Sequence, residues 1–291
     1  MYRLLKLTYR KLIPNSIHYR IEPFIRLFIY YLFYKGDLVK CSICLSDAKK
    51  FISILFKESE DKLCPKCGSL SRSRAIVKYV EDNFQNEKLK ILDFSPHRSM
   101  HDFFKSKFEN YISTDFENQF YAEKNYDITE IEEKDNSFDL IICFHVLEHI
   151  LEDDKAINEL HRILKKNGVL IIQVPLKDGA TYEDFSITTA KGRLEAFGQE
   201  DHVRIYGHKS IEKKLKAFLF SVETVDISKN FNAREKKLFG ISGKSEDHFL
   251  GNFFAINDYC DTINCTIYTD YSIITPCVGE TIFDSFTGEI V

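Results

Sequence analysis

Four cysteines near the start of the chain are spaced as metal ligands. They form two C-x2-C pairs separated by 19 residues: Cys41, Cys44, Cys64 and Cys67. Each pair can turn two thiolates towards one tetrahedral ion, and the spacing lies within the window of four-cysteine zinc sites. A site closed by four protein ligands leaves no position open for a substrate, so we expect a structural Zn²⁺ here.

A second set of reactive groups lies in "FDLIICFHVLEHI", where His145, Glu148 and His149 spell H-x-x-E-H. In zinc proteases this pattern lies inside one long helix, which places both histidines on the same face. Here His145 follows an apolar run typical of a buried strand, and a helical pattern starts only near Glu152. The sequence therefore disfavours a zinc protease. It predicts that His145 ends a strand.

A third set of polar side chains lies in the long connection 176–209. Connections of more than thirty residues in a folded domain are usually functional or disordered, and the apolar residues around 197–206 argue against disorder. Histidine titrates near neutral pH, so His202 is the candidate general base for a substrate hydroxyl. Asp201 could orient it and Arg204 could hold an acidic group. The alternative is that His202 only anchors the loop, and the two interpretations have equal weight.

Strand and helix patterns that alternate from Leu89 onwards must position these groups. The strand patterns are "KLKILDFS", "YISTD", "FDLIICFHV" and "GVLIIQVP", and the helix patterns are "SMHDFFKSKFEN", "EDDKAINELHRILKKNG" and "SIEKKLKAFLF". Strands that alternate with helices form a mostly parallel sheet covered on both faces, which is an α/β fold. Two later patterns, "SVETVDIS" and "HFLGNFFAIN", can complete the sheet.

The composition is that of a folded protein with one unusual segment. The chain has 291 residues, of which 44% are hydrophobic, and its net charge of −4 gives no overall attraction to nucleic acid. Residues 1–40 instead carry eight Lys and Arg against two acids. Their apolar run "FIRLFIYYLFY" is too short to span a bilayer. We expect its aromatic residues to pack against the main domain, with a helix lying in a membrane interface as the alternative.

The start of the chain has no secretory-signal pattern, which predicts a cytoplasmic protein, at most peripheral at the inner face of the membrane. In that reducing compartment the eight cysteines do not predict a disulfide framework. Cys143 reads as a core residue of an apolar strand. Three others have no metal-like spacing: Cys260, Cys265 and Cys277.

The block "FDLIICFHVLEHILEDDKAINELHRILKKNGVLIIQVP" closely resembles the fourth-strand to fifth-strand region of class I S-adenosylmethionine-dependent methyltransferases of the type 11-like group. The resemblance covers about Leu89–Asn257. It implies a Rossmann-like, mostly parallel sheet with an antiparallel last strand, and S-adenosylmethionine as cofactor. Together with the four-cysteine zinc-ribbon-like module, the chain resembles a subgroup associated with the synthesis of surface glycans.

The resemblance assigns cofactor-binding positions to the strand ends. They are Asp93, Ser95, Asp115, Asp127, Ile128, Phe144 and His145. Asp115 matches the acid that binds the cofactor ribose, and Asp127 and Ile128 match the pair at the adenine. Ser95 and His97 stand where the family usually has glycines, which puts the shape of that turn in doubt. Glu148 and His149 are expected to be structural residues of the first helical turn.

Four segments follow from these patterns. They are a basic, aromatic helical segment (1–40), the zinc module with its helix (41–84), the methyltransferase domain (85–258) and a C-terminal extension (259–291). The "CTIYTDYSIITP" stretch of the extension is expected to add a strand or two.

The resemblance implies O-methylation of a sugar hydroxyl in a glycan or glycolipid precursor, with peripheral membrane contact through residues 1–40. One alternative is an RNA methyltransferase in which Arg72 and Arg74 grip phosphate, although a solvated helix face is the commoner explanation of two such arginines. The other alternative is an inactive methyltransferase-fold scaffold, because two glycines are missing.

Overall fold

The computed structural model describes residues 15–56, 59–117, 122–225, 227–241, 253–255 and 272–276. Residues 1–14 of the basic segment, and Cys260, Cys265 and Cys277, lie outside these ranges. Within them, no helix is long and apolar enough to cross a bilayer. The chain forms two compact units. The first takes residues 1–85, 97–107 and 227–250, and the second takes the rest.

The helices are α1 (Asn15–Ile29), α2 (Ser71–Asn83), α3 (Arg98–Lys107), α4 (Asp153–Ile163), α5 (Ala190–Phe197), α6 (His208–Ala217) and α7 (Ala233–Phe239). A π-helical turn (Tyr30–Tyr34) continues α1, and 3₁₀ turns occupy Leu147–His149 and Ile227–Asn230.

The strands of the first unit are β1 (Lys35–Lys40), β2 (Asp47–Ala48), β3 (Ile52–Phe56) and β4 (Ser59–Leu63). Those of the second are β5 (Lys90–Phe94), β6 (Asn110–Thr114), β7 (Phe138–Phe144), β8 (Leu164–Gln173), β9 (Leu176–Lys177), β10 (Tyr182–Glu183), β11 (Arg204–Gly207), β12 (Phe220–Val225), β13 (Phe253–Ala255) and β14 (Ser272–Pro276).

The first unit is built around the buried side chain of Arg74 on α2. Its guanidinium donates hydrogen bonds to the carbonyls of Ser69, Lys62, Phe239 and Gly240, at 2.6 to 2.9 Å. It also lies over the ring of Phe51, 4.1 Å from the ring centre. Both expectations for this arginine, a phosphate grip and a solvated face, are therefore wrong, because its donors satisfy backbone carbonyls inside the unit.

The apolar run of residues 24–34 has aromatic side chains both at the surface and in the interior of the first unit. Phe24, Phe28 and Tyr31 are 73%, 66% and 55% exposed. Arg26, Ile29 and Tyr30 are buried. The Arg26 guanidinium bonds to Glu22, with Nε 3.0 Å from the carboxylate, and the Tyr30 hydroxyl donates to the carbonyl of Asp47 at 2.7 Å. Three aromatic residues of the run are therefore exposed, whereas Tyr30 packs within the first unit.

The second unit contains a seven-stranded sheet in the order β12-β13-β14-β8-β7-β5-β6. Four adjacent strands, β8, β7, β5 and β6, run parallel to one another. β14, which lies in the "CTIYTDYSIITP" stretch, pairs antiparallel with β8. The central part of β7 is fully buried, as expected for a parallel strand covered on both faces. The expected α/β sheet, mostly parallel and completed by antiparallel pairing, is confirmed.

The four central strands end in register, and this places the residues that follow them at one edge of the sheet. Ser95 follows β5, Asp115 follows β6, His145 follows β7 and Val174 follows β8. Backbone bonds join these ends in pairs, from Ser95 N to Thr114 O at 2.7 Å and from His145 N to Gln173 O at 2.8 Å. The carboxyl edge of a parallel sheet is where ligands bind in open α/β folds.

The long connection after β8 is folded. It forms the helix α5 and a small sheet in which β11 pairs antiparallel with β10 and parallel with β9. Phe197, Val203 and Tyr206 are buried and Ile205 is partly buried, as their apolar character predicted. This connection therefore has fixed side chains to offer at the site.

Candidate active site

The turn after β5 has a left-handed backbone conformation at Ser95, where the family usually has glycine. Ser95 has φ = 49°, in the left-handed region that glycine adopts most easily. Its hydroxyl donates to Asp115 Oδ1 at 2.8 Å. The chain thus keeps the turn at a small conformational cost, and the serine side chain ties the ends of β5 and β6 together.

Asp93, the acid at the end of β5, is buried. Its Oδ2 accepts a hydrogen bond from the Tyr111 hydroxyl at 2.9 Å. Burial raises the pKa of Asp93 to about 8, although the bond from Tyr111 acts in the opposite direction. At neutral pH this carboxyl is therefore largely protonated, and it can itself donate a hydrogen bond.

Asp127 and Ile128 lie in a turn that their own side chains fix. The Asp127 carboxylate accepts from the backbone N–H of Thr129 at 2.8 Å and from its hydroxyl at 2.7 Å, while Ile128 is buried. Asp115 is also buried, at the end of β6. Two carboxylates and an apolar side chain are thus held on the segments that follow the parallel strands.

The H-x-x-E-H segment does not form the long helix of a zinc protease. β7 ends at Phe144, and His145 takes φ = 55° before a 3₁₀ turn of only three residues. Nδ1 of His145 lies 3.1 Å from Oε1 of Glu148. The expectation that His145 ends a strand is confirmed, and the turn that follows carries Glu148 inward rather than along a helix.

Glu148, His149 and His202 form a compact cluster beside this strand end. One ligand-type atom from each lies within 4.8 Å of the others, and the two imidazole rings are 4.7 Å apart, edge to face. Glu148 is 0% and His202 2% exposed. Among the residues that the structure describes, Oε2 of Glu148 and Nδ1 of His202 have no hydrogen-bond partner. Burial lowers the pKa of His202, so its ring is held neutral.

Asp201 and Arg204 have roles that differ from those the sequence predicted. Oδ2 of Asp201 lies 3.3 Å from Nδ1 of His149, so this carboxylate orients His149 and not His202. The buried guanidinium of Arg204 donates to the carbonyls of Ile150 and Leu151 and to Glu183. Arg204 therefore clamps the segment after the 3₁₀ turn, and these contacts replace the expected hold on an acidic acceptor group.

The four cysteines of the first unit lie together. Their sulfurs are within 4.8 Å of one another, with Cys41 Sγ 3.7 Å from Cys67 Sγ and Cys44 Sγ 3.8 Å from Cys64 Sγ. The Ser69 hydroxyl lies 3.4 Å from the sulfur of Cys41. Hydrogen bonds from Cys44, and then from the other two thiols, hold the pKa of Cys41 well below its usual range. The cluster thus favours a thiolate.

The family model described as a methyltransferase domain matches residues 71–230, more than half of the chain. The chain belongs to the class I S-adenosylmethionine-dependent methyltransferase family. The matched region contains every strand end described above and the whole connection that carries His202. The fold and the family that the sequence resemblance implied are thereby confirmed.

One curated relative is similar to a short part of this chain. This relative, the uncharacterized protein MJ0638 of Methanocaldococcus jannaschii, is 51% identical over 51 residues, which are 18% of this chain and 22% of that protein. This chain thus matches about a fifth of the relative's length.

Among solved structures, YcgJ of Bacillus subtilis is 15% identical, over 56% of this chain and 81% of that one, with a TM-score of 0.39. A phosphoethanolamine N-methyltransferase 2 of Haemonchus contortus, solved with S-adenosylhomocysteine, is 18% identical over 54% of this chain and 39% of that one, with a TM-score of 0.40.

The side chains present fit the cofactor of this family. A nucleoside presents hydroxyl and amino donors, and the strand ends offer the buried carboxylate of Asp115 and the fixed carboxylate of Asp127 as acceptors. The left-handed turn at Ser95 supplies the backbone shape that the family obtains from glycine. Phe144 and His145 are partly exposed at the end of β7, as expected for residues that line a pocket.

Sequence reasoning missed the proximity of Glu148 and His149 to His202. Both were expected to be structural residues of a helical turn, because a strong helix follows them. The available signal was the combination of H-x-x-E-H with a further histidine in the connection that crosses the same sheet edge. The contact that joins them, Val203 N to Glu148 O at 2.9 Å, links residues far apart in sequence.

Proposed function

We propose that this protein methylates a hydroxyl group of a saccharide, in a glycan or glycolipid precursor, with S-adenosylmethionine as the methyl donor. The observation that carries the proposal is the cluster of Glu148, His149 and His202 at the end of β7. A hydroxyl acceptor must lose a proton when it is methylated, and this cluster gathers buried groups able to take up or stabilise that charge.

The residues of the chain divide between the two reactants. S-adenosylmethionine supplies an electrophilic methyl group on a sulfonium sulfur. Asp115 accepts hydrogen bonds from the ribose hydroxyls, and Asp127 and Ile128 receive the adenine. Their task is to hold the donor in line with the acceptor, because positioning supplies much of the rate in a transfer of this type.

His202 is the residue that activates the acceptor. Its pKa is lowered by burial, so the ring is neutral and has a lone pair available for a proton. A lone pair of the hydroxyl oxygen forms the new C–O bond, while the bond between the methyl carbon and sulfur breaks with both electrons kept by sulfur. The hydroxyl proton leaves through the cluster. Asp201 and Arg204 hold His149 and residues 150–151 in place.

The four-cysteine cluster is proposed to hold one structural Zn²⁺. A tetrahedral ion with Zn–S bonds of about 2.3 Å has S···S edges of about 3.8 Å. The two sulfur pairs given above lie at 3.7 and 3.8 Å, which supports this ion. All four protein ligands are then used, so the zinc has a structural role only.

Peripheral membrane contact through residues 1–40 belongs to the same proposal. The exposed Phe24, Phe28 and Tyr31 present an aromatic surface of the kind found in interfacial helices. Such a surface suits a lipid-linked acceptor. The RNA alternative loses one of its two supporting residues, because Arg74 is buried inside the first unit.

The test combines calorimetry with a radiolabelled methyl-transfer screen. Calorimetry on the full chain should show binding of S-adenosylmethionine, weakened by about 1–3 kcal/mol in Asp115→Ala through loss of charge-assisted bonds. Asp102→Ala, an exposed acid on α3, is the matched control. The screen presents free sugars, lipid-linked saccharides in anionic vesicles, and RNA. Label in RNA alone would replace the saccharide proposal, and failure to bind the donor would support an inactive scaffold.

A further inference from the structure

The cluster of Glu148, His149 and His202 has the composition of a metal site. It offers one carboxylate and two imidazoles, with a ligand atom of each inside a 4.8 Å circle. Zinc and the neighbouring first-row divalent ions are commonly held by this set of protein groups. The other such group in the described part of the chain is the four-cysteine cluster of the first unit.

Two buried atoms of this cluster point to a missing partner. Oε2 of Glu148 and Nδ1 of His202 are shielded from solvent and bond to no atom of the described residues. A buried polar atom without a partner destabilises the folded state, so a native protein satisfies it with water or an ion. A cation meets both requirements at once, because a carboxylate oxygen and an imidazole nitrogen are both ligands.

Neighbouring side chains orient Glu148 and His149, as residues that contact the ligands of a metal ion do. Oδ2 of Asp201 lies 3.3 Å from Nδ1 of His149, so Nε2 is the nitrogen of that ring that remains available to an ion. A carboxylate on the far nitrogen of a ligating histidine fixes the ring and raises its basicity. His145 contacts the other oxygen of Glu148, at 3.1 Å. Glu148 and His149 thus each have one polar atom engaged by a neighbouring side chain and a second atom available to the ion.

The backbone holds the ligands at the edge where an acceptor arrives. Glu148 and His149 lie on the 3₁₀ turn directly after β7, and Val203 N bonds to Glu148 O, which carries His202 to the same place. The carbonyl bonds of Arg204 fix the segment that leaves the turn. These contacts keep the three side chains close without a metal being needed to assemble the loop.

We propose that Glu148, His149 and His202 bind one divalent cation of the Zn²⁺ or Mn²⁺ type, and that this ion receives the acceptor hydroxyl. Three protein ligands leave at least one coordination position open, as in catalytic metal sites. The ion lowers the pKa of a hydroxyl that approaches it and orients that oxygen towards the methyl group. When the ion is bound, it takes the lone pair of His202, so His202 activates the hydroxyl as a metal ligand rather than as the base, and the hydroxyl proton passes to solvent. Only this role of the ion rests on the proposed function.

Binding of Mn²⁺ to the full chain tests the site separately from the cysteines, since Mn²⁺ favours oxygen and nitrogen ligands over thiolates. Titration followed by electron paramagnetic resonance should show about one bound Mn²⁺ per chain. Glu148→Gln, His149→Ala and His202→Ala should each weaken binding at least tenfold. Asp201→Asn, a change at an exposed residue that leaves the ligands intact, should weaken it about tenfold through the orientation of His149.

His161→Ala is the matched control, because His161 packs edge to face against Phe220, outside the cluster. Its Mn²⁺ affinity should equal that of the wild type. Circular dichroism identifies any variant that fails to fold. If a ligand variant does not fold, Asp201→Asn still tests the site, because Asp201 is exposed and is not itself a ligand. Absence of Mn²⁺ and Zn²⁺ binding beyond the cysteine site, or equal affinity in all variants, would overturn the assignment.

A comparison with methyl transfer separates the two proposals. If the ion serves the reaction, turnover by His202→Ala falls about a hundredfold while affinity for S-adenosylmethionine is unchanged, and added Mn²⁺ restores part of the loss in Asp201→Asn. Methyl transfer at full rate in metal-free protein would overturn the role of the ion and leave the methyltransferase standing. Tight Mn²⁺ binding without any methylated acceptor would support the site and count against the proposed function.

Discussion

Single residues of this methyltransferase site carry strain and burial that the sequence only partly revealed. Ser95 is an example of a feature that the sequence revealed only in part. The missing glycine was visible in the sequence, but the left-handed backbone and the bond to Asp115 that compensate for it depend on the position of β6. Arg74 was expected to grip phosphate or to lie on a solvated helix face, and Arg204 to hold an acidic group, because charged residues rarely lie buried. Their partners are backbone carbonyls, some of them distant in the chain, and no local pattern encodes such pairs.

Asp93 gives a pH dependence that can be measured. Its carboxyl has a pKa of about 8 in the folded protein against 3.8 ordinarily, so the folded state binds the proton more tightly. The contribution of this group to stability is therefore lost as the pH rises from about 4 to 8, by up to about 1.4 kcal/mol per pH unit. Asp93→Asn keeps the acceptor for Tyr111 and removes the titration.

Urea unfolding at several pH values between 5 and 8 checks this expectation. The free energy of unfolding of Asp93→Asn should rise relative to the wild type as the pH increases. Asp102→Asn, at an exposed position, should run parallel to the wild type over the same range. Parallel curves for Asp93→Asn as well would show that the carboxyl is ionised in the folded protein.

At the scale of elements, apolar periodicity located the strands and helices well and their ends less well. The helix pattern ran to Lys165-Lys166-Asn167-Gly168, but α4 ends at Ile163. Leu164 is instead extended and pairs with Phe138, and the register shifts before Leu140 pairs with Val169. This pairing between strands decided the boundary. The folded connection between β8 and α6 was foreseen from its apolar anchors, although its three short strands were not.

A hydrogen bond from Tyr206 joins the connection between β8 and α6 to the start of α4. The buried Tyr206 hydroxyl donates to Oδ2 of Asp153, at the start of α4, at 2.6 Å. Tyr206→Phe leaves this buried carboxylate with fewer partners and should lower the free energy of unfolding by about 1–3 kcal/mol. It should also loosen the segment that carries His202. Tyr182→Phe changes a 41% exposed tyrosine of the neighbouring strand β10 and should cost no more than about 0.5 kcal/mol.

Thermal or urea unfolding measures the stability of the two variants. Hydrogen exchange at the amides of 199–206 measures how often this connection opens. Equal stability of Tyr206→Phe and Tyr182→Phe would mean that the bond to Asp153 contributes nothing net. Faster exchange confined to 199–206 in Tyr206→Phe would show that the bond holds this connection at the site.

At the scale of the whole molecule, the clearest sequence signals were local ones. The spacing of the cysteines predicted that their four sulfurs lie together, and they do. The block 138–175 predicted a strand, a helix and a strand, and the structure has them. Both patterns depend on residues close in sequence. The assembly of the first unit could not be foreseen. Its segments 1–85, 97–107 and 227–250 are separated by the other unit, and Ser71 bonds to Gly240 across that gap.

The zinc proposed for the first unit should be measurable in the full chain. Protein purified without chelator should release about one Zn²⁺ per chain as an organomercurial titrates its thiols. Cys64→Ser combined with Cys67→Ser should abolish that release, whereas Cys143→Ala, a buried thiol in β7, should retain it. Metal and folding are coupled in such modules, so the double variant should also melt at lower temperature. Elemental analysis that finds no thiol-bound zinc in the wild type would leave the four cysteines as free thiols that contact one another, Ser46 and Ser69.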